Sequence, residues 1–191
     1  MNWIPKYKFI LASKSPRRQE LLKSLGIDFE VQTKDVDESY PNHLPPDKIP
    51  VYLAEKKAKA FTNGLNNNDL LITADTIVVL NDHVLEKPVD YDHAFQMLSA
   101  LSGRIHEVIT GVCLSSTKKS VVFSSLTNVQ FKKLTNAEID YYINTFKPYD
   151  KAGAYGIQEW IGSIGISHIE GSFYNVMGLP LQKLYEEFQK F

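Results

Sequence analysis

Apolar residues along this chain come in short runs separated by polar turns, and the spacing within each run sets the element it predicts. Phe9-Ile10-Leu11-Ala12 is a continuous apolar stretch of strand length that leads straight into Ser13-Lys14-Ser15-Pro16-Arg17-Arg18. A helix is predicted there: Ser15 suits the N-cap, Pro16 the first helical position, Leu21, Leu22 and Leu25 one apolar face, and Gly26 the end. Residues 27–33 alternate as a second strand, whereas 35–48, with Pro41, Pro45 and Pro46 among acidic residues, predicts a long surface loop of the kind that often carries function. Residues 52–61 have helical spacing that sets Lys57 beside the apolar face of Leu53, Ala54 and Ala58.

Further along, 70–74 and 77–80 predict strand interrupted by Asp75-Thr76, followed by a hairpin turn at Asn81-Asp82-His83. Residues 90–101 predict a helix closed by Ser102-Gly103, then two long strands, 106–114 and 121–131, joined by a polar turn. Thr135-Asn136-Ala137-Glu138 is a capping-box pattern opening a helix to about residue 146. Glycine-rich turns and short apolar pieces, 161–169 among them, precede a terminal helix started by Pro180, with Leu181, Leu184, Tyr185 and Phe188 inward. Strands and helices that alternate loosely, with neighbouring strands near the middle, predict a mixed-sheet α/β fold.

Composition narrows the function. With 191 residues, 43% hydrophobic and 23% charged, the chain can bury a sizeable core as one domain or two tightly joined lobes. A formal charge of -1, from 21 basic and 22 acidic residues without a block of like sign, argues against nucleic acid or an anionic membrane as partner. Cys113 stands alone in an apolar run and is expected as a small core residue, which suits a reducing compartment. Residues 1–8 hold no apolar stretch of signal-peptide length and no run is long enough to span a bilayer, so the protein is expected in the cytoplasm.

Residues 9–20, a strand, short loop and helix start, form an arrangement that binds anions, because unpaired amides and the helix dipole both favour phosphate. Ser13, Ser15, Lys14, Arg17 and Arg18 add donors there, and the alternative is a solvated basic helix start. Asp75 lies in an otherwise apolar strand pattern, where a carboxylate calls for a cation, a basic partner or a cleft. Taken with Glu38 in the acidic loop and Lys87 in Glu86-Lys87-Pro88, these are the parts for phosphoryl transfer assisted by a hard divalent cation. His106 reads as a structural histidine, and Tyr141, Tyr142 and Phe146 as core aromatics.

Leu11-Ala12-Ser13-Lys14-Ser15-Pro16-Arg17-Arg18, Asp37-Glu38, Ala54-Glu55-Lys56-Lys57-Ala58, Ala74-Asp75-Thr76, Leu85-Glu86-Lys87-Pro88, His106-Glu107-Val108, Thr110-Gly111-Val112, Lys151-Ala152-Gly153-Ala154-Tyr155-Gly156-Ile157-Gln158 and Gly178-Leu179-Pro180-Leu181 occur in this order across nearly the whole chain. Together they resemble the Maf proteins. The resemblance implies one Maf-like domain over 1–191 with a Maf/inosine-triphosphatase-like fold: two α/β lobes around a twisted mixed sheet and a central cleft. It implies hydrolysis of a nucleoside triphosphate to the monophosphate and pyrophosphate, keeping non-canonical nucleotides from incorporation, with a divalent cation: magnesium, manganese or cobalt. Carried over by position, Asp75 resembles the catalytic proton acceptor or a metal ligand, Ser13, Arg17, Arg18, Lys57 and Lys87 the phosphate and cleft residues, and Glu38 a metal or water-positioning carboxylate. Arg17, Thr76 and Gln158 resemble the branch acting on dTTP and UTP. A glutamine amide supplies the donor and acceptor that the O4–N3 edge of uracil or thymine needs. Relatives of this kind suggest a homodimer. Glu159-Trp160 departs from the small, glycine-rich residues expected after Gln158, and Arg104-Ile105 before His106 departs from a lysine-threonine type sequence. The rival readings are a non-catalytic nucleotide-sensing regulator, since Maf proteins are connected with arrest of cell division, and a nucleic-acid-binding protein.

Overall fold

The computed structural model describes residues 6–191, so most of the stretch 1–8, read as holding no signal-peptide run, lies outside the described residues. Within them the chain is a mixed α/β protein whose seven-stranded sheet has the order β2-β1-β3-β5-β6-β7, with β4 paired to β3. The strands are β1 (Lys8–Leu11), β2 (Phe29–Val31), β3 (Asp69–Leu80), β4 (His83–Leu85), β5 (Ile105–Ser115), β6 (Ser120–Phe131) and β7 (Ile166–Glu170). The helices are α1 (Pro16–Ser24), α2 (Ile49–Lys59), α3 (Tyr91–Leu101), α4 (Asn136–Phe146), α5 (Trp160–Gly165), α6 (Phe173–Met177) and α7 (Leu181–Phe188). The sheet is mixed because β1 runs parallel to both β2 and β3, whereas β3 pairs antiparallel with β4 and β6 with β7. This is the class the hydrophobic pattern predicts.

The chain divides into two compact units, one comprising 1–75, 110–125 and 178–191, the other 76–109 and 126–177. In the first, Ile10, Leu71 and Cys113 of the sheet pack with Ala54, Ala58 and Phe61, and Phe9 meets Phe188 edge-on at 5.3 Å. In the second, Val78, Val108, Val129 and Phe131 pack against Leu98 of α3, Tyr142 of α4 and Ile161 of α5. Cys113 is thus a buried core residue, as expected.

Several helix ends follow the local chemistry read from the sequence. Ser15 caps α1 with Pro16 in its first turn, and Thr135 and Glu138 close the capping box of α4. Asn81 and Asp82 both have positive φ, which suits a tight hairpin turn, although His83 already belongs to β4. Other elements differ from expectation. β2 spans three residues instead of the whole of 27–33. α2 begins at Ile49, ahead of the predicted 52, because Pro50 falls in the first turn where its missing N–H costs nothing. β3 runs unbroken through Asp75-Thr76, since the Asp75 carboxylate has a cationic partner and does not need to leave the strand. Tyr185 is 39% exposed and Tyr141 49% exposed, so neither turns inward as predicted, while Tyr142 does.

One close approach holds α2 in place. A Cβ built on Gly111 of β5 would lie 2.3 Å from the Pro50 carbonyl and 2.4 Å from the Val51 nitrogen, so only glycine lets the first turn of α2 lie this near the sheet. Backbone atoms cannot swing aside as a side chain can. Gly111→Ala is therefore expected to destabilise the protein by roughly 1–3 kcal/mol or more, the usual cost of overpacking. A urea midpoint equal to that of the wild type would contradict this packing.

Candidate functional site

The register between α2 and β3 creates the central ion pair. Thr73 Oγ1 donates to the Ala54 carbonyl at 2.7 Å, fixing helix against strand. One helical turn after Ala54 comes Lys57, and two residues after Thr73, on the same face of the strand, comes Asp75. Their meeting follows from that register: Lys57 Nζ lies 2.6 Å from Asp75 Oδ1. The same ammonium is 2.7 Å from Glu38 Oε1 in the loop before α2. Lys57 and Asp75 side chains are 16% and 12% exposed, whereas that of Glu38 is 52% exposed. One cation thus joins a buried carboxylate to one open to solvent.

The loop that carries Glu38 is clamped on both sides of it. Asp37 Oδ1 accepts from the Ser39 amide at 3.0 Å, and the Ser39 hydroxyl also donates to Asp37. Lys56, the neighbour of Lys57, donates to Asp37 Oδ2 at 2.9 Å and to the Ser39 carbonyl at 2.8 Å. The Ser39 hydroxyl, and then Lys56, hold the Asp37 carboxyl well below its ordinary pKa. Neither Lys56 nor Ser39 stood out in the sequence, although the acidic turn beside a paired lysine was the available signal.

At the start of α1, Ser13 is buried and its Oγ accepts from the Ser15 amide at 3.1 Å, an arrangement that leaves the hydroxyl hydrogen as a donor. Lys14 is exposed and pairs with Asp35 at 2.7 Å. Arg18 donates through Nε to the Gly178 carbonyl at 2.9 Å, so part of its guanidinium is committed to the segment leading into α7. Desolvation lowers the pKa of Arg18; Asp75 acts in the opposite direction, the neighbouring Arg17 lowers it further and Glu38 raises it. These electrostatic couplings put Arg17, Arg18, Glu38 and Asp75 in one neighbourhood of the first unit. Of the residues expected to handle phosphate and cation, Ser13, Arg17, Arg18, Glu38, Lys57 and Asp75 belong to that unit, whereas Lys87 does not.

Thr76, Lys87 and Gln158 belong to the second unit. Thr76 follows Asp75 along β3, and strand alternation turns it to the opposite face. Lys87 and Gln158 are exposed, and their segments are joined where the Gly153 amide donates to the Glu86 carbonyl at 3.1 Å. Around Gln158 the structure gathers residues the sequence reading had not used. The Tyr142 hydroxyl donates to Glu159 Oε2 and accepts from the Gly156 amide at 3.0 Å. Lys151, itself buried, lies 3.1 Å from Glu159 Oε1 and 2.7 Å from Asp150. Glu159, the departure from the expected pattern, therefore turns inward. Tyr155 is buried, with its hydroxyl 2.7 Å from His106 Nε2, and both rings pack on Phe131.

A divalent cation fits the first cluster on chemical grounds. Glu38 and Asp75 already converge on a positive charge, and magnesium is commonly held by one or two carboxylates together with substrate phosphates. Among the described residues no group of three or more His, Cys, Asp or Glu could hold an ion. Among the described residues, too, no helix is long and apolar enough to cross a membrane.

Comparison with known proteins adds a sequence-wide frame. The family model described as Maf-like protein matches residues 8–191. The chain is 54% identical over 189 residues to a dTTP/UTP pyrophosphatase of Parabacteroides distasonis, covering 98% of each chain. It is 54% identical over 188 residues to one of Phocaeicola vulgatus, covering 98% of this chain and 97% of that one. A third, from Flavobacterium psychrophilum, is 52% identical over 178 residues, 93% of this chain and 91% of its own. The solved Ham1 protein of Staphylococcus aureus shares 14% identity, with 65% of this chain and 71% of that one covered, at a TM-score of 0.48, a likeness too low to support an argument.

The buried His106 gives a pH test of the second unit. Its Nδ1 has no hydrogen-bond partner among the described residues, and burial pushes its pKa from 6.5 down to about 4. The unfolded chain takes up the proton first, so the histidine's contribution is whole above about pH 6.5 and is lost as pH falls toward about 4. Between about pH 7 and about pH 4.5 this amounts to roughly 2–3 kcal/mol. His106→Gln is expected to lose less stability over that interval than the wild type in urea titrations. Equal pH dependence in the two proteins would show that His106 does not titrate as described.

Proposed function

Because this chain belongs to the Maf family, we infer that it is a nucleoside triphosphate pyrophosphatase that hydrolyses dTTP and UTP to the monophosphate and pyrophosphate. The observation that carries the reading is the meeting of Glu38, Lys57 and Asp75 beside Arg17 and Arg18, where carboxylates and cations stand in the combination a triphosphate needs. The activity for which its relatives are named supports the pyrimidine branch, as does the exposed amide of Gln158. The nucleotide pool on which such an enzyme acts sets its work in the cytoplasm.

In the mechanism that follows from this geometry, Ser13 and the first amides of α1 bind phosphate oxygens, with Arg17 as a bidentate partner. Arg18, bound to the Gly178 carbonyl, contributes charge and steadies the start of α1. Lys57 fixes the Asp75 carboxylate by one oxygen and offsets the charge of the triphosphate. Asp75 takes the proton of the attacking water as its oxygen bonds to the α-phosphorus, and pyrophosphate departs with the electrons of the broken phosphoanhydride bond. Glu38 and Asp75 would hold a divalent cation, magnesium, manganese or cobalt, which would supply charge neutralisation for the triphosphate. In the second unit Lys87 is assigned to substrate charge, and Thr76 and Gln158 to recognition.

The reading is tested by measuring pyrophosphate release from a panel of nucleoside triphosphates with each of these metals. Release from dTTP and UTP above purine nucleotides is expected. Tight UTP binding without release under any metal would favour the nucleotide-sensing regulator instead. Asp75→Asn is expected to lower kcat by ~10²–10⁴, the weight of a general base, and near wild-type turnover in that variant would remove Asp75 from the chemistry.

A further inference from the structure

In the second unit, residues 153–157 are all buried and Gln158 is exposed at the tip that follows them. Three side chains anchor this segment from beneath. Tyr155 is held at His106 and against Phe131. Tyr142 accepts from the Gly156 amide while donating to Glu159, and Lys151 lies against the other oxygen of that carboxylate. The turn itself closes through the Glu159 amide, which donates to the Gly156 carbonyl at 3.0 Å. It also packs against α5, where a Cβ on Gly162 would lie 1.8 Å from the Ile157 carbonyl oxygen. Gln158 is thus carried by a backbone fixed before it, after it and below it.

The chemistry of pyrimidines gives this rigidity a use. Uracil and thymine present an N3–H donor beside an O4 acceptor, and cytosine presents the reverse. A glutamine amide can turn over and satisfy either pattern, whereas backbone N–H and C=O groups held in place cannot. A preference for uracil over cytosine built on such backbone groups needs the turn around Gln158 to be firmly set. We propose that Tyr142, Glu159 and Lys151 are positioning residues that lock the turn over 156–159 and so set the preference for uracil and thymine nucleotides over cytosine nucleotides. The proposal rests on the pyrophosphatase reading with Gln158 facing the base. It also gives Glu159 a role that its place in the sequence did not suggest: a brace beneath the turn.

The test compares wild type with Tyr142→Phe, Glu159→Gln and the double variant, each assayed on UTP and CTP well below its melting midpoint. Loss of one hydrogen bond is expected to raise the UTP KM and lower the UTP-to-CTP ratio of kcat/KM by about tenfold, with kcat nearly unchanged. Because the two side chains act as one unit, the double variant should lose little more than either single variant. Exchange of the Gly156 amide with solvent should quicken in Tyr142→Phe, which reports release of the turn without reference to activity. A lowered melting midpoint with an unchanged UTP-to-CTP ratio would make the network merely structural and overturn the proposal, as would a wild type indifferent to the base. If the wild type releases no pyrophosphate at all, the pyrophosphatase reading fails. The lock is then decided by calorimetric binding of non-hydrolysable UTP and CTP analogues, where equal selectivity in wild type and Tyr142→Phe would overturn it.

Discussion

The ion pairs that hold the Lys57 ammonium between Asp75 and Glu38 are the interaction on which the arrangement of charge in the first unit depends. It follows from how helix α2 docks on strand β3: once Thr73 is bonded to the Ala54 carbonyl, helical and strand periodicities bring Lys57 and Asp75 together. Gly111 permits the docking by letting the Pro50 turn approach the sheet. The clamp of Asp37, Ser39 and Lys56 then sets Glu38 at the same cation. A glycine, a threonine and a short exposed network thus arrange the charges, although none of them handles phosphate in the proposed mechanism.

The two units are built by different physical means. The first relies on charge, with Arg17, Arg18 and Lys57 near Asp75 and Glu38 and the start of α1 close by in sequence. The second fixes the turn that carries Gln158 with neutral or internally balanced groups: a tyrosine hydroxyl, a buried imidazole kept neutral by its surroundings, and a Lys151–Glu159 pair. Its tyrosines are correspondingly poor acids. Burial, ahead of the bond to Glu159, pushes the Tyr142 pKa up, and burial alone does so for Tyr155. Hydroxyls that hold their protons are dependable donors, which is what a rigid scaffold requires.

Legibility in the sequence followed the range of the interactions involved. The caps at Ser15 and Thr135, the Asn81-Asp82 turn and the mixed α/β class depend on neighbours within a few residues, and the pattern contained them. Asp75 stood out because a carboxylate in an apolar strand demands a partner, but the sequence could not name Lys57, 18 positions away, as that partner. For the same reason β3 was expected to break where it runs on. The network beneath Gln158 was hidden more deeply: Tyr142 looked like core, Glu159 looked like a departure from the family pattern, and their contact spans 17 positions. Tyr141 and Tyr185 went astray because helical spacing defines a stripe without saying how wide the covered part will be.

The unequal exposure of the two carboxylates bears on how they divide their work. An ion pair as buried as Lys57–Asp75 gains little over an apolar pair of similar volume, because desolvation consumes most of the Coulomb attraction. Stability alone is therefore weak grounds for keeping it, and function supplies stronger ones. Asp75, fixed by strand and helix, holds one position, which suits a group that must meet a water at a set distance. Glu38, half open to solvent on a clamped loop, can exchange Lys57 for another cation without burying a bare charge. In the proposed mechanism Lys57 would hold Asp75 by one oxygen throughout, and Glu38 is the carboxylate that would leave the lysine for a divalent cation.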